Sequence, residues 1–284
     1  MEWRPALAEA GALVLPVECA GCGRWDVALC RDCEQLLRAA PVRCDEDAPL
    51  LAADGAAPLV PTWSLGPYRG ALRSVVLAWK NHRRQDIAPA MLAAAQDAAE
   101  VWAHEPDLQR RLVGGAAGVD VVVVPAPSGW RRRVSRRLVV ADLADAVARG
   151  LAAGLRDAAG LRDAVGLRDA VGLRDAAGLG DAVGADAPRV ARVLVVDLLR
   201  RRGGRAHQSG MGARGRSANR HGTVVALTRL PPDAVVLLVD DVVTTGATLA
   251  ACVAAVGGAG GRVAGAFALA STPSPGRGGA RLPM

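Results

Sequence analysis

The stretch V-V-L-L-V-D-D-V-V-T-T-G-A-T-L, residues 235–249, constrains the fold more than any other part of the chain. Its apolar run 235–239 has no alternating polar face and is too short for a helix, so it reads as a strand buried on both sides. The run ends in Asp240 and Asp241, then in a Thr-Thr-Gly turn, and an apolar helix follows over 247–256. A buried strand that runs through a tight turn into a helix is one unit of an open α/β sheet. Three further runs read as strands: 119–124, closed by the rigid Pro125-Ala126-Pro127, then 190–196 and 263–270. Between them, helical spacing marks 71–79, ending at Lys80, together with 87–102 and 139–151. Strand and helix alternate, which predicts an α/β fold with a mainly parallel sheet and helices on both faces. Apolar residues make up 51% of the chain but aromatic ones only 3%, so the expected core is built from Ala, Val and Leu.

The turn carries the chemistry. Thr244, Thr245, Gly246, Ala247 and Thr248 bring hydroxyls, backbone N–H groups and the positive end of a helix to one point, which suits a phosphate. Two adjacent carboxylates would repel that phosphate unless they face an attached sugar and accept hydrogen bonds from its paired hydroxyls. Asp240 and Asp241 are therefore read as the sugar side of a phosphoribosyl pocket. Two other readings stand beside this one: a carboxylate pair that holds Mg²⁺ directly, and a pair that caps the following turn. A Walker loop is excluded, because no G-x-x-x-x-G-K-[ST] string exists and the single lysine, Lys80, lies far upstream.

Near the N-terminus, Cys19-x2-Cys22-x7-Cys30-x2-Cys33 supplies two close thiol pairs, the ligand set of a closed, structural Zn²⁺ site. Gly21 and Gly23 ease the first turn; redox pairs or plain buried thiols are the competing readings. Cys44 and Cys252 stand apart from this set. A short helix is expected over 32–40, and 41–61, rich in Pro, Ala and Asp, reads as a linker. The expected organisation is a zinc module with linker at 1–57, a large domain at 58–273 and a tail at 274–284. Residues 154–184 repeat a six-residue GLRDAA-like unit whose leucines advance about 240° per unit around a helix, so they build no stripe. The repeat reads as an insertion outside the core, with a docking arm as the alternative.

Of 35 basic residues, 34 are arginine, and the net charge is +7. Two arginine runs, at 131–133 with Arg136 and Arg137, and at 200–202 with Arg205, adjoin the expected pocket loops. They suit a diphosphate, a nucleic-acid backbone or an ordinary solvated face. The apolar runs are far shorter than a membrane span, so no membrane insertion is expected. No signal peptide is visible, and a reducing cytoplasm is the expected compartment.

Taken together, D-D-V-V-T-T-G-A-T after an apolar strand resembles the phosphoribosyl diphosphate signature of type I phosphoribosyltransferases. Four further landmarks resemble one branch of these proteins, the competence-related ComF family. They are the four-cysteine N-terminus, the segment from Tyr68-Arg69-Gly70 to Trp79-Lys80, the strand 121–127 leading to arginines, and residues 208–219, Q-S-G-M-G-A-R-G-R-S-A-N. The resemblance implies that Asp240 and Asp241 hold the ribose hydroxyls and that residues 244–248 hold the 5′-phosphate. It places Ala126, Pro127, Ser128 and Arg131 on the diphosphate side, and Gln208, Arg214, Arg216 and Asn219 in a loop that closes over the site. Phosphoribosyl diphosphate with Mg²⁺ is the implied ligand, or a related phosphorylated sugar. The implied activity is phosphoribosyl transfer to an acceptor in a DNA-uptake role. The alternative is a non-catalytic DNA-uptake accessory whose partners are single-stranded DNA or other uptake proteins. Where the family has a Gly-aromatic-Asn-Gln-like stretch after the arginines, this chain has Leu138-Val139-Val140.

Overall fold

The structure, a computed structural model, describes residues 17–52, 57–81, 84–112, 119–127, 139–158, 190–201, 224–231 and 234–274. Six strands form one sheet in the order β1 (Val42–Arg43), β2 (Thr62–Ser64), β8 (Arg262–Ser271), β7 (Val235–Val243), β3 (Val119–Pro125) and β4 (Val190–Val195). All neighbours run parallel except β1 and β2. The mixed α/β architecture with a mostly parallel sheet follows from strands such as V-V-L-L-V, which carry no solvent face. Beyond the main sheet, β5 (Leu199–Arg201) and β6 (Val224–Ala226) pair as a separate antiparallel ribbon.

The period-two geometry of the strands divides the core in two. Val121, Val123, Val235, Leu237 and Val239 face one side, where they meet helices α2 (Gly70–Lys80), α3 (Ala88–Ala103) and α5 (Val139–Ala158). Val122, Val124, Val236 and Leu238 face the other, against α6 (Ala247–Gly258). Two short helices also lie among the described residues, α1 (Arg31–Leu37) in the cysteine module and α4 (Pro106–Arg111) after α3.

Three details differ from the sequence expectation. First, the stretch 41–61 is not a linker where it is described: Arg43 and Val42 pair with β2, and Leu51 and Val60 are fully buried. The buried Asp45 carboxylate accepts the Thr62 N–H at 3.1 Å and the Arg43 guanidinium at 2.6 Å, which ties this edge to the sheet. Second, α5 runs seven residues beyond the expected end and takes in the first five residues of the first repeat unit. Gly154 and Leu155 are therefore core residues, and 159–184 lie outside the described residues. A Cβ at Gly150 or Gly154 would strike the backbone carbonyl of Gln96 or Glu100 on α3, so these glycines let two helix backbones touch. Third, the aromatic residues are few but concentrated: Trp63 and Trp102 lie 5.4 Å apart, and Trp102 and Phe267 5.7 Å apart, above Gly265.

The chain order creates the crevice. From β3 the chain passes through α5 to β4 on one flank, returns to β7 on the other flank of β3, and continues outward through α6 to β8. The direction of winding reverses between β3 and β7, and a crevice opens at the carboxyl ends of two such strands.

Candidate functional site

Asp240 and Asp241 stand at this reversal, near the end of β7, which runs on to Val243 rather than stopping at residue 239. Across the crevice, Ala126 and Pro127 follow β3, and the Ala126 N–H donates to the Val239 carbonyl at 2.7 Å. The turn after β7 then enters α6 through Gly246, whose φ of 78° lies in the left-handed region that disfavours any side chain. A Cβ there would also strike Leu51, and the Leu50 N–H donates to the Thr245 carbonyl at 3.0 Å. The segment expected as a linker thus fixes the back of the turn. In front, Thr244 and Thr245 are exposed and Ala247 and Thr248 half-buried at the start of a twelve-residue helix, and the Ala247 N–H donates to Thr245 Oγ1 at 3.4 Å.

The two carboxylates are held differently. Asp241 is 4% exposed, and its Oδ1 accepts the Lys80 ammonium at 2.6 Å. Asp240 Oδ1 accepts the N–H of Asp241 at 2.8 Å. Each aspartate thereby keeps one carboxylate oxygen without a partner among the described residues. Burial, and next the neighbouring Asp241 charge, push the Asp240 carboxyl up to about 7, against the pull of the Asp241 N–H, Lys80 and Arg201. As consecutive strand residues the two aspartates point to opposite faces, Asp241 to Lys80 on the α2 side and Asp240 to the α6 side, and each offers one free acceptor oxygen near the strand end.

Two residues to which the sequence reading gave no site role join this site. Lys80 enters from the last turn of α2, 161 positions from its partner. Arg201, at the end of β5, donates from Nε to the Pro127 carbonyl at 3.0 Å and from Nη2 to Thr248 Oγ1 at 3.3 Å. Arg201 therefore links the loop after β3 to the first turn of α6. The run 200–202 gave a signal, but only its pairing in the fold picks out the second arginine. Ser128, Arg131, Gln208, Arg214, Arg216 and Asn219 lie outside the described residues.

A second site is formed by Cys19, Cys22, Cys30 and Cys33, whose sulfurs all lie within 4.8 Å of one another. Cys22 and Cys30 Sγ are 3.6 Å apart, close to the roughly 3.8 Å edge of a tetrahedron with metal–sulfur bonds of about 2.3 Å. Gly23 takes a φ of 78° in the first turn, and the Cys30 N–H approaches Cys19 Sγ at 3.4 Å. Against the upward push of burial, N–H groups of Cys22, Cys30 and Gly21 bring the Cys19 thiol down to about 6. Burial and shared hydrogen bonds with the other three sulfurs raise Cys33. None of the six cysteines forms a disulfide, and these four can hold one metal ion such as zinc. Cys44 and Cys252 lie apart from this set, as expected, and both are buried.

No protein-family model matches the chain, and no curated protein matches it. Among the described residues, no helix is long and apolar enough to cross a membrane.

Proposed function

We propose that this chain is a phosphoribosyltransferase-like protein of ComF type, which binds phosphoribosyl diphosphate with Mg²⁺ at the crevice between β3 and β7. The observation that carries the reading is the pairing of two half-free carboxylates with an exposed Thr-Thr-Gly turn at the reversal of the sheet. Asp240 and Asp241 accept the two ribose hydroxyls, and residues 244–248 cradle the 5′-phosphate. Ala126 and Pro127 border the diphosphate, and Arg201 brings positive charge to the same edge. Residues 128 and 131, and the loop residues 208, 214, 216 and 219, keep the roles that the family resemblance implies. Bound Mg²⁺ supplies charge neutralisation as the diphosphate leaves. Attack by an acceptor on the anomeric carbon breaks the bond to diphosphate through an oxocarbenium-like state, which the aspartates keep in place through the ribose. Zinc in the four-cysteine module is structural, because four protein thiolates fill a tetrahedral shell and leave no open position. The biological setting proposed is DNA uptake.

A ligand series tests the pocket. The pocket requires that ribose 5-phosphate bind at least about tenfold more tightly than 2-deoxyribose 5-phosphate, since one carboxylate loses its partner in the latter. Equal affinity for the two would remove the assignment of the aspartates.

One observation favours the DNA-binding accessory role as a second reading. Trp25, in the cysteine module, is 61% exposed beside the exposed Arg24, a stacking face next to a cation. If single-stranded DNA uses this face, Trp25→Ala weakens salt-dependent DNA binding and leaves phosphoribosyl diphosphate binding unchanged; unaltered DNA binding would remove the role from this face.

A further inference from the structure

Lys80 is the one lysine in a chain with 34 arginines, and its ammonium lies 2.6 Å from a carboxylate that is almost fully buried. The course of α2 makes this contact possible. The helix begins at Gly70 after β2, packs in the core with one face of the sheet, and ends at Lys80 beside Asp241 near the carboxyl end of β7. An eleven-residue helix is about 16 Å long, and two strand spacings are about 10 Å, so the span is sufficient.

The cysteine module touches the chain on both sides of Lys80, in α2 and beyond its end. On the upstream side, Gly21 is so close to Cys33 and Val75 that no side chain would fit. On the downstream side, Arg84 donates to the Glu18 carbonyl at 2.5 Å and to the Ala28 carbonyl at 3.1 Å, both in the cysteine loops. Asp86 receives the same guanidinium at 2.7 Å and holds it in place.

We infer that Lys80 is a positioning residue: its ammonium holds the Asp241 carboxylate turned so that Oδ2 faces the ribose, and the cysteine module sets the position of Lys80 through α2. This rests on the phosphoribosyl reading of the pocket. A compact ammonium on a flexible stem satisfies one oxygen and leaves the other open. A guanidinium fork tends to take both oxygens of a carboxylate, which gives a reason for a lysine here in an arginine-rich chain.

The test is calorimetric titration of the full, metal-loaded chain with phosphoribosyl diphosphate and Mg²⁺, using native protein, Lys80→Met and Lys80→Arg. Lys80→Met removes the charge and keeps an apolar stem, and is expected to weaken binding by about tenfold or more, in line with couplings between residues in direct contact. Lys80→Arg restores a cation but competes for both oxygens, and is expected to recover part of that loss, ending between the other two. Equal affinity of native and Lys80→Met would overturn the inference and leave the pocket reading intact. Lys80→Arg as weak as Lys80→Met would also overturn it, because packing rather than charge would then account for the loss. No binding by the native chain would sink the pocket reading and this inference together.

Discussion

At the scale of single residues, Asp240 carries the largest electrostatic cost of the candidate site. Burial and its charged neighbour raise its carboxyl to about 7 in the folded protein. A raised carboxyl means that the folded state binds the proton more tightly than the unfolded chain does. This group's contribution to stability is therefore greatest below the ordinary carboxylate range and is lost as pH rises toward 7. Asp240→Asn keeps an acceptor for the Asp241 N–H and removes the charge. Its melting temperature is expected to exceed that of the native protein at pH 8, by about 2–4 °C for each kcal/mol relieved, and the gain is expected to vanish near pH 4. Scanning calorimetry at the two pH values checks this; an equal gain at both would place the cause elsewhere. At the same scale, Arg201→Ala is expected to weaken phosphoribosyl diphosphate binding by about tenfold, within the range for hydrogen bonds to charged groups. Unchanged affinity would limit Arg201 to joining the two loops.

Among the elements, the legibility of the sequence followed the physics of each segment. Buried strands such as β3 and β7, and helices with a clear apolar stripe such as α2, were readable because periodicity and burial carry the same information. The edge strand β1 and the three-residue β2 were not, because their order comes from partners distant in the chain, such as the Asp45 carboxylate on the Thr62 N–H. The end of α5 lies past the expected residue 151 for a related reason. Glycine is a poor helix former, but Gly150 and Gly154 allow α3 and α5 to touch, and that tertiary gain outweighs propensity. Gly154→Val is accordingly expected to destabilise the protein by about 1–3 kcal/mol through overpacking. Denaturant unfolding measures it, and a change within about 0.5 kcal/mol, the range of surface substitutions, would contradict the close packing of α3 on α5.

For the molecule as a whole, the cysteine module and the sheet work as one unit through α2, since Leu37 of the module's helix shares a core with Val75, Trp79 and Trp63. The candidate site was legible in part for that reason: a local motif named the aspartates and the turn, whereas Lys80 and Arg201 arrive from distant segments and are visible only once the chain is folded. Removing zinc from the metal-loaded protein is expected to lower the melting temperature and also to weaken phosphoribosyl diphosphate binding. Zinc stoichiometry measured alongside the titration checks both effects. Metal-stripped protein with undiminished affinity would separate the module from the pocket.

The most direct test of the central claim is calorimetric titration of the zinc-loaded chain with phosphoribosyl diphosphate and Mg²⁺, set beside the folded Asp240→Asn, Asp241→Asn double variant. Saturable binding at one site per native chain, lost in the variant, is the predicted result. Absence of binding by the native chain, or equal binding by both, would contradict the assignment of the crevice between β3 and β7 to a phosphoribosyl ligand.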